Sequence, residues 1–396
     1  MIQRDAAEKL DESALYEAAE EQTGLRDWGP DNTFRIGLRK LIEAVEAMPV
    51  ARALRGAFAA EATGLLATRL RLREDENRHP EILRGNVERP LILTGAPRSG
   101  TTWLYELLSV DPAARAPLDW EVSSPWPAPE IATFESDPRI AAGQAAFDGF
   151  LAAAPELATM HHWDTRMPQE CNCFTIFHFA SSNFWSSYAV PSYLRWLTLE
   201  RPQGVFNTHR RILQQLQWKG PQGRWLLKSP PHLLMLDELL EAYPDAMIIQ
   251  THREPTSMVA SLASFIRAMR RARFPDVPEL NEPKTIAYDV MFQYGEALER
   301  ATDSRRNPSI EKQIFDVPYR DTVADPIGTV RRIYARFGLD FTREYEQRLQ
   351  KLVREERPTG HGKHIYDPEE FGISDLDLPN RFPNYRARFG DLLFAR

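Results

Sequence analysis

The chain has 396 residues, of which 43% are hydrophobic and 27% charged, and its formal net charge at pH 7 is −7. This length holds one large domain with additions or two domains, and the acidic balance argues against a general nucleic-acid-binding protein. No run of about 18 apolar residues occurs and the first residues do not resemble a signal peptide, so we expect no membrane span and a cytoplasmic location.

The only cysteines are Cys171 and Cys173. On a helix their side chains point apart, so they do not pair readily, and no other cysteine completes a thiolate metal site. Reduced thiols are typical of a cytoplasmic protein. We therefore expect neither a disulfide nor a metal site.

Residues 1–85 are predicted to form a helical N-terminal extension. Apolar residues recur there at helical spacing, namely Leu38, Leu41, Ile42, Val45, Leu54, Phe58, Leu65, Leu66 and Leu70. We expect this extension to pack on the rest of the protein, as a lid or as the contact of a homodimer.

Residues 88–396 are predicted to form the main domain. Strand-like segments alternate there with helical patterns, and the strand candidates are 90–95, 224–228, 246–251 and 313–318. This alternation predicts an α/β fold with a parallel β-sheet flanked by helices, of the type that carries a P-loop.

The first strand ends in a loop that reads Gly95-Ala-Pro97-Arg98-Ser99-Gly100-Thr101-Thr102-Trp103. A glycine-containing loop between a strand and a helix exposes backbone N–H groups and the positive helix end, and so binds phosphate. Nucleotide hydrolases place a lysine after the second glycine. Here Thr101 takes that position and the cation, Arg98, lies inside the loop.

An insertion rich in aromatic residues and proline covers 120–223, with helices predicted near 138–154, 168–187 and 205–218. In an open α/β sheet, ligands bind beyond the carboxyl ends of the strands. We expect the insertion to cover that edge and the active site. Its composition is equally typical of a protein core.

The strand over 246–251 leads into Thr-His-Arg253-Glu-Pro, and Ser261 lies in the helix that follows. A nucleotide hydrolase carries a magnesium-binding Asp near the end of such a strand. This chain has Arg253 there instead.

These two elements, about 150 residues apart, together resemble the sulfotransferases that use 3′-phosphoadenosine-5′-phosphosulfate (PAPS) as donor. The resemblance is to the bacterial branch with Pro-Arg-Ser in its first loop, and it covers roughly residues 88–390. It implies that the first loop binds the 5′-phosphosulfate, and that Arg253 and Ser261 bind the 3′-phosphate. Trp103 would stack on the adenine or pack in the core.

Two later segments also match the family in part. The glycine-containing basic loop around Gly362 and Lys363 resembles the family's late element over the nucleotide. Tyr319 matches a family position, but the Arg after it departs from the pattern, and we assign it no role.

Sulfuryl transfer needs cations on the transferring oxygens and a base for the acceptor proton. Arg98 supplies one cation. Lys228 is the second candidate, because it ends an apolar strand in a Lys-Ser-Pro-x-His pattern that resembles the family's own; a solvated strand end is the ordinary interpretation.

Two residues compete for the role of base. Glu170 matches the Pro-x-Glu element of the bacterial branch, although an acid in a first helical turn also stabilises the helix. His232 is the rival, because imidazole is a common general base.

The sequence therefore predicts a PAPS-dependent sulfotransferase that acts on a hydroxyl, or less readily an amine, of an apolar small molecule or lipid. Two alternatives stay open, a P-loop kinase or nucleotide hydrolase and a non-catalytic nucleotide-binding protein. The missing lysine and aspartate count against the first. The presence of Lys228 and Glu170 counts against the second.

Overall fold

A computed structural model describes residues 9–160, 163–355 and 367–393. Within these ranges the sheet has five parallel strands in the order β2-β3-β1-β4-β5. The strands are β1 (Leu91–Gly95), β2 (Ala114–Arg115), β3 (Arg224–Lys228), β4 (Met247–His252) and β5 (Ile314–Pro318). The α/β prediction is confirmed; β2 was not predicted, because two residues are too few to show a strand pattern.

Helices make up most of the rest. They are α1 (Glu12–Thr23), α2 (Phe34–Glu46), α3 (Ala51–Arg78), α4 (Thr101–Ser109), α5 (Asp119–Ser123), α6 (Pro138–Ala153), α7 (Ser182–Tyr188), α8 (Pro191–Glu200), α9 (Val205–Trp218), α10 (Leu236–Ala242), α11 (Thr256–Arg273), α12 (Pro283–Ser304), α13 (Pro308–Glu311), α14 (Tyr319–Ala324), α15 (Pro326–Phe337), α16 (Arg343–Arg354) and α17 (Pro383–Leu393). Across the described ranges, none of them is both long and apolar enough to cross a membrane.

The central strands are buried on both faces, which explains their continuous apolar runs. Alternate residues enter two separate core clusters. Ile92 and Ile248 belong to the larger cluster, whereas Leu93 and Ile249 belong to the smaller one with α4, α15 and α16. Parallel pairing of β1 with β3 and β4 brings their carboxyl ends to one edge.

The N-terminal helices pack on the rest of the protein. Leu38, Leu41 and Phe58 are fully buried. Arg69 of α3 donates a hydrogen bond of 2.7 Å to the carbonyl of Phe177 in the insertion. Apolar burial and this hydrogen bond join the extension to the insertion.

The prediction of one helix over 168–187 is wrong in part. Residues up to Glu170 are extended, a 3₁₀ helix follows over Cys171–His178, and Phe179 then adopts a left-handed conformation (φ 53°) before α7 begins. The cause is tertiary, because Pro168 forms a β-bridge with Leu118. Glu170 is therefore not a first-turn helical acid.

Gly95 of β1 pairs directly with Thr251 of β4, with no room for a side chain. Its φ is 140°, and a Cβ atom there would lie 2.1 Å from Thr251 Oγ1 and 2.7 Å from the Thr251 carbonyl oxygen. We expect Gly95→Ala to lower the free energy of unfolding by about 2–4 kcal/mol, as measured by chemical denaturation. The matched control is Gly56→Ala in α3, where nothing lies within 4 Å, and which should stabilise by up to about 1 kcal/mol. Equal effects would contradict the close approach.

Candidate active site

The loop between β1 and α4 has a strained backbone. Gly95 and Gly100 have φ of 140° and 85°, and Arg98 between them has φ of 66°. Non-glycine residues hold such values only where the surroundings impose them, often at functional sites. The Ser99 hydroxyl supplies one constraint, because it is buried and lies 2.6 Å from Thr251 Oγ1.

The first turn of α4 leaves backbone donors without helical partners. Leu104 donates the first backbone bond of the helix, to the Gly100 carbonyl, and no side chain caps the helix start. The N–H groups of Thr101 and Thr102 thus have no intrahelical acceptor. With the positive end of the helix, they have the chemistry that an anion-binding site requires.

Lys228 and Glu170 form an ion pair beside this loop. The Lys228 Nζ lies 3.1 Å from Glu170 Oε1 and 3.4 Å from the Thr102 hydroxyl. The Lys228 side chain is 5% exposed, whereas that of Glu170 is 31% exposed. The predicted cation and the predicted base therefore touch each other at the end of β3, and Lys228 is not a solvated strand end.

Glu170 is held in place by the segment before it. Its backbone N–H donates to Gln169 Oε1 at 2.8 Å, and Gln169 Nε2 donates to Asp119 Oδ1 at 2.7 Å. Burial raises the pKa of Asp119. These hydrogen bonds fix the extended segment that carries Glu170, and Glu170 lines the cavity.

Tyr105 of α4 supports both members of the pair. Its hydroxyl lies 3.2 Å from the carbonyls of Gln169 and Leu226, close enough to donate to either. The Lys228 Nζ lies 5.4 Å from the centre of its ring. Burial raises the pKa of Tyr105 well above its usual value, so the phenol stays neutral.

Arg253 and Ser261 face the same cavity as the loop. Arg253 Nη1 donates to the Arg98 carbonyl at 2.8 Å, and its guanidinium lies 4.4 Å from the centre of the Tyr319 ring. The same ring lies 2.7 Å from the position that a Cβ of Gly100 would occupy, so only glycine fits there. Ser261 lines the cavity from α11.

The loop from Pro97 to Arg98, the start of α4, the ion pair, Arg253 and Ser261 all line one cavity of about 590 Å³. The insertion supplies much of its lining. One part, here called the apolar wall, consists of side chains from α6, α11 and the segment between α6 and Glu170: Phe147, Met160, Trp163, Leu262, Phe265 and Met269. The cavity thus combines the start of α4, an ion pair and an apolar surface.

The structure does not bring His232 to the described lining of this cavity. His232 is 3% exposed, its Nε2 lies 3.2 Å from Cys171 Sγ, and its ring packs against Phe206. Burial lowers the pKa of His232 well below its usual value. The two prolines before it start a 3₁₀ helix, Pro230–Met235, which directs His232 into the core rather than toward the cavity.

The other predicted residues have different outcomes. Pro97, Thr101, Thr102 and Trp103 line the cavity with Arg98 and Gly100. Gly362 and Lys363 lie outside the described residues. The sequence did not predict Tyr105, Thr251, Gln293 or Tyr294 as residues of the site, and it gave Tyr319 no role. A signal was available for two of them. Thr251 and Tyr319 lie at or beside the carboxyl ends of strands, where ligand sites are expected.

Comparison with known proteins places the chain among sulfotransferases. The model of the sulfotransferase family matches residues 90–343. An omega-hydroxy-beta-dihydromenaquinone-9 sulfotransferase of Mycobacterium bovis is 27% identical over 285 residues, which cover 67% of this chain and 66% of that protein. The match thus spans slightly less than two thirds of the relative.

Two crystal structures cover nearly the whole chain. The sulfotransferase STF9 from Mycobacterium avium has 27% identity and a TM-score of 0.83, with 100% of both chains covered. The sulfotransferase STF1 from Mycobacterium tuberculosis has 29% identity and a TM-score of 0.79, and the match covers 94% of this chain and 98% of that one. The similarity therefore includes the N-terminal helices and the insertion.

Proposed function

The chain belongs to the sulfotransferase family, and from this premise we propose that it transfers a sulfuryl group from PAPS to a hydroxyl of an apolar small molecule or lipid. The observation that carries the proposal is the Lys228–Glu170 ion pair, which lies beside Thr102 at the start of α4 and lines the same cavity as the apolar wall. A donor phosphosulfate and an acceptor hydroxyl would meet at this pair.

The donor fits the polar part of the cavity. The loop over 95–100 and the positive N-terminal end of α4 suit the 5′-phosphosulfate, with Arg98 as the neighbouring cation. Arg253 and Ser261 suit the 3′-phosphate, and Trp103 on the lining suits stacking on the adenine.

The reaction is an in-line displacement at sulfur. Glu170 takes the proton of the acceptor hydroxyl while the acceptor oxygen forms a bond to sulfur. The bond from sulfur to the oxygen of the 5′-phosphate breaks, and adenosine 3′,5′-bisphosphate leaves with that electron pair. Lys228 and Arg98 stabilise the charge on the sulfuryl and leaving oxygens, where preorganised cations act most strongly.

The apolar wall suits an acceptor with a lipid-like body. Its aromatic side chains contact one another; for example, the rings of Phe147 and Trp163 are centred 5.4 Å apart. The name of the Mycobacterium bovis relative describes an acceptor with a hydroxyl on a menaquinone lipid. We propose a hydroxylated lipid for this chain on both grounds.

Arg253 should be the main reader of the 3′-phosphate. We expect Arg253→Ala to weaken binding of adenosine 3′,5′-bisphosphate by about 2–3 kcal/mol, because a charge-assisted contact is lost. Adenosine 5′-phosphate should bind almost as in the wild type. Isothermal titration calorimetry with both nucleotides measures the difference.

A control is needed because Arg253 also holds the Arg98 carbonyl. Arg253→Lys keeps a cation but cannot bond the carbonyl and the phosphate with one planar fork. It should recover part of the loss for the bisphosphate. Equal losses for both nucleotides in Arg253→Ala would mean that Arg253 only supports the loop.

A further inference from the structure

Two neighbouring residues of α12, Gln293 and Tyr294, present polar groups to the cavity. They are 2% and 6% exposed, and both belong to its lining. The helix packs against α11 and against Pro230–Met235, the 3₁₀ helix that follows Lys228. Both residues are thus held beside the reaction centre by large helical contacts.

Neither polar group is satisfied by the protein. Over the described ranges of the chain, the Gln293 amide and the Tyr294 hydroxyl make no hydrogen bond. Asn172 on the same lining differs, because its Nδ2 donates to Asn183 Oδ1 at 3.3 Å. Their polar atoms are not among the fully buried, unpaired atoms of the described residues, so they open into the cavity. A ligand that pairs with both groups takes the place of solvent there, and a ligand without such groups leaves them unpaired.

The hydrogen-bonding groups of Gln293 and Tyr294 indicate which chemical group of a ligand they can bind. A Gln amide offers donors and an acceptor, and a phenol offers one donor and accepts as well. Burial and the nearby Glu170 carboxylate raise the pKa of Tyr294, so its hydroxyl keeps the proton. Tyr294 lines the same cavity as Glu170, the proposed base. An oxygen that lies close to the reacting hydroxyl matches this arrangement.

We propose that Gln293 and Tyr294 form a subsite for a second oxygen of the acceptor, next to the hydroxyl that receives the sulfuryl group. This subsite rests on the proposed function, and it specifies which of the apolar hydroxylated acceptors the protein would use. The acceptor is an amphiphile with an apolar body along the apolar wall and with two neighbouring oxygen functions at its polar end, as in a vicinal diol or a hydroxyketone.

The test compares two acceptors with PAPS as donor, a long-chain primary alcohol and the terminal vicinal diol of the same chain length. Each buried hydrogen bond contributes about 0.5–1.5 kcal/mol, so wild-type kcat/KM should favour the diol by about tenfold. Gln293→Met and Tyr294→Phe should each lower this ratio, and the double variant should bring it near one. The control is Tyr288→Phe on the exposed side of the same helix, which should keep the wild-type ratio.

A ratio near one in the wild type, or an unchanged ratio in the double variant, overturns the subsite and leaves the proposed function standing. Sulfuryl transfer to neither alcohol, by protein that binds adenosine 3′,5′-bisphosphate, overturns the proposed function and the subsite with it. Binding of this nucleotide also verifies that each variant is folded. A purely structural role for the two residues would change both acceptors alike, and the ratio would not move.

Discussion

Glu170→Gln is expected to lower turnover by about 10²–10⁴-fold, the usual share of general-base catalysis. The amide keeps the size of the side chain and can still hydrogen-bond Lys228, but it cannot take the acceptor proton. Binding of adenosine 3′,5′-bisphosphate should stay close to that of the wild type. Steady-state kinetics and calorimetry on the same preparation separate the two effects.

Two controls sharpen this result. Asp119→Asn removes another carboxylate of the cavity lining, one that is bonded to Gln169 rather than to Lys228, and it should cost much less turnover. His232→Asn should lower the free energy of unfolding by about 1–3 kcal/mol, because a buried contact with Cys171 is lost, with a smaller loss of turnover per folded protein. Loss of turnover in His232→Asn with near-normal turnover in Glu170→Gln would reverse the assignment.

Lys228→Met is expected to lower turnover by about 10²–10³-fold and to weaken binding of adenosine 3′,5′-bisphosphate much less. Methionine fills the buried path of the side chain without its charge. A cation aimed at the sulfuryl oxygens acts mainly in the transition state, and the product nucleotide no longer carries the sulfuryl group. The ratio of the two losses is the quantity to measure.

A matched control is Lys219→Met, since that lysine pairs with Glu130 and lies outside the cavity lining. It should leave both turnover and binding unchanged. If Lys228→Met weakens nucleotide binding as much as it lowers turnover, Lys228 is a ground-state phosphate contact and not a transition-state cation.

The sheet could be predicted because its central strands are apolar on both faces and end in polar or glycine residues. Residues at such ends converge by the topology of a parallel sheet. This rule alone brings Lys228, Arg253 and the loop after Gly95 together. The structure agrees, because all three line one cavity.

Residues away from strand ends were harder to predict. His232 follows a strand closely, yet a 3₁₀ helix directs it into the core. Glu170 has a helical sequence pattern, but pairing of Pro168 with Leu118 keeps its segment extended. Local sequence does not contain these tertiary contacts.

The polar residues of α12 had no sequence signal at all. Gln293 and Tyr294 lie inside a 22-residue helix whose other buried residues are mostly apolar. Which residues of a helix face a cavity depends on how the helix packs, and the spacing of apolar residues does not reveal it. Only the three-dimensional arrangement singles out this pair.

The most direct test of the account is transfer of labelled sulfur from PAPS to a long-chain alcohol. We predict that the label appears in a sulfate ester, with one adenosine 3′,5′-bisphosphate formed per ester, and that Glu170→Gln and Lys228→Met suppress both products together. Protein that binds adenosine 3′,5′-bisphosphate but leaves the label in PAPS, or that consumes ATP with magnesium instead, would contradict the assignment of this cavity to sulfuryl transfer.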